Sequence, residues 1–221
     1  MPEVDLLARY PQTRRDVRAR SDAKTPENVA AAKRFGREYF DGDRSTGYGG
    51  YRYDGRWVPV AEDIVAHFGL NAASSVLDVG CAKGFLLTDL RQVVPGIEVF
   101  GLDISEYGLR HARPEVGARC VRGNARDLPF ADGAVDVVLS INTLHNLDRV
   151  GCVQALREIA RVGRHGSFVQ VDSYRTPEQR KLFLEWVLTA ETHADPRGWE
   201  QLFAEAGYAG DYGWTIVEQP C

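Results

Sequence analysis

Residues able to do chemistry gather around one short stretch. Ser75-Val-Leu-Asp-Val-Gly-Cys-Ala-Lys-Gly-Phe85 joins an apolar run of strand length to the start of a helix. The turn between them carries Gly80 and Gly84, four positions apart. Such turns seat nucleotides, because the free N–H groups of a helix start and the missing side chains let a ligand lie against the backbone. The dinucleotide spacing G-x-G-x-x-G is absent, so a pyrophosphate is not indicated. Asp78, just before the turn, would repel a phosphate and attract a cationic amino group. The turn therefore suits a nucleoside that carries an aminoacyl chain and no phosphates, such as S-adenosylmethionine. Asp103 lies 25 residues further on, at the end of the strand-like run 98–104. A carboxylate at that strand tip accepts from both ribose hydroxyls. Taken alone, Asp103 would instead read as the cap of a helix starting at Ser105–Glu106.

These residues need a frame. From Ser74 onward, apolar strand-length runs (76–79, 98–104, 118–123, 135–142, 166–174) alternate with helical patterns, and 211–219 reads as a last strand. Such alternation, with strands apolar on both faces, predicts a parallel sheet covered on both sides, binding ligands at the carboxyl ends of its strands. Upstream, Thr25-Pro26 starts a helix expected to run through 28–40, and 58–70 is amphipathic. Between them, 41–57 has neither helical nor strand period and reads as a long ordered loop.

In order along the chain, DVGCAKG, LDIS, GNARDLPFADGAVDVVLS and LREIARV resemble the class I S-adenosylmethionine-dependent methyltransferases over about 75–172. LFAEAGYAG and TIVE fit the family's final helix and strand. The resemblance implies an α/β, Rossmann-like, seven-stranded, mostly parallel sheet with its last strand antiparallel, in three α/β/α layers. An N-terminal helical arm and lid (1–60) would precede the methyltransferase domain (61–221).

It also implies roles. Asp78, Gly80 and Cys81 match the motif whose backbone lies against the methionine part, and Gly84 its last glycine. Asp103, with Ile104 beside it, matches the ribose-binding acid. Asn124 stands where an Asp usually faces the adenine amino group, and its side-chain oxygen can accept the same bond. Ala125 would offer a backbone N–H to the adenine. Leu128 and Phe130 read as core or as a wall under that ring. Ser140 and Ile141 match the segment beneath the sulfonium. Ala82 replaces a common glycine, at little cost if its backbone angle is ordinary.

On the acceptor side, His145 follows the fourth strand, and histidine titrates near neutral pH. It is a candidate base for an oxygen nucleophile, or a structural histidine. Asn142 would orient substrate or cap the next helix, and Asp172 and Tyr174 end the fifth strand. The stretch 39–57 holds four tyrosines and Trp57. Disordered loops are aromatic-poor, so it reads as a lid rather than a surface loop. Tyr48, Tyr51 or Tyr53 could face the sulfonium. Arg44, Arg52 and Arg56 suit a polar or anionic substrate. Asp195 is expected to cap a helix that packs Trp199 on the core, and His193 stays open between substrate and surface. Arg14, Arg15, Arg18 and Arg20 read as a solvated helix face.

Composition limits the alternatives. With 221 residues, 44% hydrophobic, the chain can bury one sizeable core. A net charge of −4 argues against nucleic acid as partner. Cys81, Cys120, Cys152 and Cys221 show no metal spacing and read as free thiols of a reducing, cytoplasmic compartment. No metal site, signal peptide or membrane span is expected. The expectation is methyl transfer from S-adenosylmethionine, yielding S-adenosylhomocysteine, to O or N of a small polar metabolite such as a sugar or a secondary-metabolite intermediate. His145 and Tyr51 are the catalytic candidates, Tyr48 contacts the cofactor, and Arg52, Arg56, Asn142, Asp172 and Tyr174 contact substrate. The protein would be a monomer or homodimer. Rival readings are a protein or RNA methyltransferase, a nicotinamide-dependent oxidoreductase and a non-catalytic S-adenosylmethionine-binding protein.

Overall fold

The structure, a computed structural model, describes residues 2–11 and 15–218; Arg14 and Cys221 lie outside the described residues. Six strands form one sheet: β1 (Ser75–Val79), β2 (Glu98–Asp103), β3 (Cys120–Arg122), β4 (Val135–Ile141), β5 (Gly163–Ser173) and β6 (Asp211–Ile216). Their order is β3-β2-β1-β4-β5-β6, and every pairing is parallel. The order reverses between β1 and β4, the switch point where open α/β sheets leave a crevice beyond their strand ends. All five residues of β1 are buried, as a central strand covered on both faces requires.

Helices α4 (Val58–Phe68) and α5 (Phe85–Val93) cover one face, burying Ile64, Leu87 and Leu90 against Val76 and Leu139. Helices α7 (Arg149–Val162) and α9 (Pro196–Ala206) cover the other, burying Leu156, Ile159, Trp199 and Phe203. Asp195 caps α9 by accepting from Gly198 N–H, and Trp199 is fully buried, as expected. Leu128 is core, and Phe130 packs against it with its ring 6.2 Å from Phe100. Among the described residues no helix is long and apolar enough to cross a membrane.

Two expectations are corrected. The sheet has six strands among the described residues, not seven, and its last strand is parallel. After β5 the chain crosses through α8 (Pro177–Trp186) and α9, which returns it to the starting edge of the sheet. β6 must then run alongside β5, Phe168 opposite Asp211 through Ser173 opposite Ile216. The outer edge of β6 is met by the amino-terminal segment, where Val4 N–H donates to the Tyr212 carbonyl at 2.8 Å. Secondly, the helix expected over 28–40 is two: α2 (Pro26–Lys33) and α3 (Arg37–Asp41). Phe35 between them has φ of 48°, a left-handed angle that ends a helix. The arm also contains α1 (Val17–Asp22), and α6 (Glu106–Arg110) follows β2.

Candidate functional site

The turn after β1 is held by its neighbours' backbones. Gly80 and Cys81 N–H groups donate to the Leu102 carbonyl at 2.7 and 3.1 Å. Gly80 has φ of 95°, and a Cβ there would lie 1.9 Å from Thr143 Oγ1, so only glycine fits. Gly84 is the N-cap of α5. Ala82 has φ of 52°, so the condition for a cheap replacement of glycine, an ordinary angle, is not met. The left-handed region costs an L-residue about 1–2 kcal/mol. Part of that is offset by Asp103, whose Oδ2 accepts Ala82 N–H at 2.7 Å.

Asp78 and Asp103 are both buried at strand ends. Burial, reinforced by Asp103, lifts the Asp78 carboxyl to about 7, and among the described residues no hydrogen bond holds it down. Burial also raises Asp103, against the N–H groups of Ser105 and Ala82 that favour its anion. Each Asp103 oxygen accepts one backbone N–H at 2.7 Å and keeps a lone pair for a ligand. The helix cap beyond is Ser105 itself, not Asp103. Ile104 exposes 51% of its surface, an apolar platform beside that carboxylate. Asn124 turns its Oδ1 onto Arg126 N–H at 3.1 Å, and Ala125 is buried.

A cavity of about 660 Å³ opens beyond these strand ends. Its wall includes Asp78, Gly80 and Cys81 of the turn, Tyr48, Tyr51, Arg52 and Arg56 of the lid, and Ile141, Asn142, His145 and Asp172 from the ends of β4 and β5. Gly84, Asp103, Ile104, Asn124, Ala125 and Ser140 stand outside this wall. Ser140 is fully buried, its hydroxyl donating to the Val79 carbonyl at 3.1 Å. Tyr174 faces away: its ring packs on Phe183, with the Arg180 guanidinium 5.9 Å from its centroid. His193 is exposed against Phe183, also outside the wall.

The carboxyl ends of β4 and β5 are ordered by hydrogen bonds. Asn142 has φ of 53°, and its Oδ1 accepts from the Thr215 hydroxyl at 2.8 Å. His145 sits in a short 3-10 turn, Leu144–Asn146, and is buried. Its Nδ1 accepts from Asp172 N–H at 3.0 Å, and its Nε2 is 3.4 Å from Asp172 Oδ2. Burial lowers the His145 pKa, against the pull of Asp172, so the ring is neutral with its proton on Nε2. Tyr51 stacks on Phe85 at 4.6 Å and lies 4.5 Å from Tyr48. Burial pushes its phenol far above the ordinary value, so it stays protonated.

Two features escaped the sequence. The loop 42–57 is latched to the turn: Lys83, buried in the motif itself, bonds both Asp41 oxygens at 2.7 Å and the Tyr51 carbonyl at 2.9 Å, while the Tyr107 hydroxyl donates to Asp41. Tyr53 is a second fastening, its hydroxyl donating to buried Asp89 at 2.5 Å. The other feature is the amino-terminal arm. Arg18 is exposed, but Arg15 and Arg20 line the cavity, which corrects the solvated-face reading.

Residues 77–171 match a family described as a methyltransferase domain. The chain is 27% identical over 190 residues to the demethylmenaquinone methyltransferase of Symbiobacterium thermophilum, covering 70% of this chain and 76% of that protein. It is 34% identical over 95 residues, 41% of its length, to the malonyl-(acyl-carrier protein) O-methyltransferase of Legionella pneumophila, and spans only 33% of that relative. Among solved structures, it superimposes with a TM-score of 0.56 and 26% identity on the complex between the Haloferax volcanii Trm112 methyltransferase activator and a methyltransferase, covering 66% of each chain. Family match, relatives and superposition agree with the motifs: residues 77–171 are similar to a methyltransferase domain, and the chain resembles the class I S-adenosylmethionine-dependent methyltransferases.

Proposed function

We propose that the protein transfers a methyl group from S-adenosylmethionine to an O or N atom of a small polar acceptor held under the lid. The observation that carries this reading is Asp78. A buried carboxylate without hydrogen bonds, raised to about 7, is a site waiting for a cation, and the donor's ammonium supplies one. Asp78 and the backbone of Gly80–Ala82 would hold the aminoacyl part, Asp103 the ribose hydroxyls, and Ile104, Asn124 and Ala125 the adenine. The bound donor supplies a methyl group already activated on a sulfonium.

Positioning two reactants supplies much of the rate of such a displacement. Asn142, fixed by Thr215, orients the acceptor beside Ile141. Tyr51, protonated, donates a hydrogen bond rather than taking a proton. His145 and Asp172 form the proton-handling pair. Nδ1 of His145 is occupied by a backbone N–H, so the acceptor's proton passes to the Asp172 carboxylate, which the imidazole Nε2–H steadies. The malonyl-(acyl-carrier protein) and demethylmenaquinone relatives place acyl and quinone acceptors beside the sugars and secondary metabolites to be screened. Incubation with methyl-labelled donor and a panel of hydroxylated, amine and carboxylic acceptors tests the reading. Label in an acceptor with equimolar S-adenosylhomocysteine supports it. Donor binding without transfer to any class favours the non-catalytic binding protein.

A further inference from the structure

Part of the cavity wall is built for charge of the opposite sign. Arg15 and Arg20 of the arm, Arg44 and Arg52 of the lid, and Trp186 at the end of α8 share it. Arg20 is only 8% exposed. Its Nη2 donates to the Gly47 carbonyl at 2.8 Å, and its Nη1 is buried with no hydrogen-bond partner. Among the described residues Arg56 is paired, with Asp54 at 2.5 Å, whereas no carboxylate lies within ion-pair distance of Arg20, Arg44 or Arg52. An arginine is seldom buried without a counter-charge, because desolvating the guanidinium is costly.

Packing nevertheless fixes these side chains. The Trp186 indole lies 4.7 Å from the Arg20 guanidinium and 5.6 Å from that of Arg15. Stacking on an indole holds the plane of a guanidinium and leaves its N–H edge free. Arg44 is housed by Gly49, where a Cβ would lie 2.7 Å from Arg44 Cγ. The lid gives up a side chain there to let the arginine stem pass. Four guanidiniums, Arg15, Arg20, Arg44 and Arg52, thus share one cavity wall with the carboxylates Asp5, Asp78, Asp172 and Glu218, yet among the described residues none of the four is in an ion pair. Forked N–H donors match the paired oxygens of a carboxylate or phosphate.

We propose that Arg20, Arg44 and Arg15 over Trp186 form the subsite for an anionic group, carboxylate or phosphate, carried by the methyl acceptor. The proposal rests on the methyltransferase reading above and names the acceptor's class. The donor's ammonium falls to Asp78, and the unpaired guanidiniums to the second reactant.

Calorimetry on the whole chain, free and saturated with S-adenosylhomocysteine, tests it with inorganic phosphate, pyrophosphate and malonate at constant ionic strength, and glycerol as the neutral control. At least one anion is expected to bind saturably. Arg20→Gln and Arg44→Gln should each weaken it about tenfold or more. Arg91→Gln, whose guanidinium donates to the Glu115 carbonyl outside the cavity wall, should leave it unchanged. S-adenosylhomocysteine affinity should hold in all three variants. Arg44 is exposed, so its variant keeps the test sharp if Arg20→Gln folds poorly. Preference for malonate or for the phosphates identifies the anion. Absent binding, or equal binding by the variants, overturns the proposal. So does a parallel loss of S-adenosylhomocysteine affinity, which would assign the arginines to the donor's own carboxylate. Failure of S-adenosylhomocysteine to bind the wild type removes the methyltransferase reading and the acceptor assignment with it.

Discussion

Asp78 is buried near the end of β1, and burial lifts its carboxyl to about 7. A cation seated on it forces ionisation, so donor binding releases protons below pH 7, and affinity falls as pH falls. Calorimetry at pH 6 in two buffers of different ionisation enthalpy should read a release of about one proton. Asp78→Asn should abolish that release and weaken the donor by about 1–3 kcal/mol. Unchanged proton release in the variant would show that the cation sits elsewhere. Ala82 gives a second residue-scale prediction. Its φ of 52° is strained for any side chain, so Ala82→Gly should stabilise the fold by about 1 kcal/mol in denaturant titration. The placement of Asp78, Gly80 and Asp103 around one turn was legible because strand, turn and helix are consecutive in the sequence. The angle of Ala82 was not, because it depends on the Asp103 carboxylate of another strand.

At the scale of elements, the loop 42–57 is held by its latch. Lys83 is buried and held by Asp41, 42 positions earlier. Asp41→Asn leaves the ammonium without its counter-charge. Discounted for the partial exposure of Asp41, that should cost about 1–3 kcal/mol. Hydrogen exchange should quicken across residues 42–57 and stay unchanged in β1 and β4. Protection unchanged in 42–57 would mean that the aromatic contacts of Tyr48 and Tyr51 alone hold the lid. The lid's aromatic composition announced an ordered loop, but its fastening to Lys83 is a long-range pairing that no local pattern encodes. The direction of β6 is similar. Its apolar run marks a strand, whereas the crossover through α8 and α9 sets which way it runs. Arg20 was misread for the same reason: on α1 alone it is one more polar side chain, and the Gly47 carbonyl and Trp186 draw it inward.

Across the whole molecule, two buried groups tie stability to pH with opposite signs. His145 is neutral when folded and charges in the unfolded chain near its ordinary 6.5. The unfolded state then binds more protons, so stability is lost as pH falls below about 6.5, and His145→Gln should flatten that loss. For Asp78 the folded value of about 7 lies above the ordinary 3.8. The folded chain binds more protons between them, so stability declines as pH rises from about 4 to 7, by roughly 4 kcal/mol at most. Asp78→Asn should therefore melt higher than the wild type at pH 8, the difference vanishing toward pH 4; a lower melting point at pH 8 would contradict the placement of Asp78. A cation seated on Asp78 would relieve this destabilisation and so link folding to ligand. The central claim, that this carboxyl edge holds S-adenosylmethionine, is met most directly by calorimetric titration of the purified protein with S-adenosylmethionine, S-adenosylhomocysteine and NAD in turn. Micromolar, one-to-one binding of the first two and none of NAD is the expected result. Binding of NAD alone, or of none of the three, would contradict it.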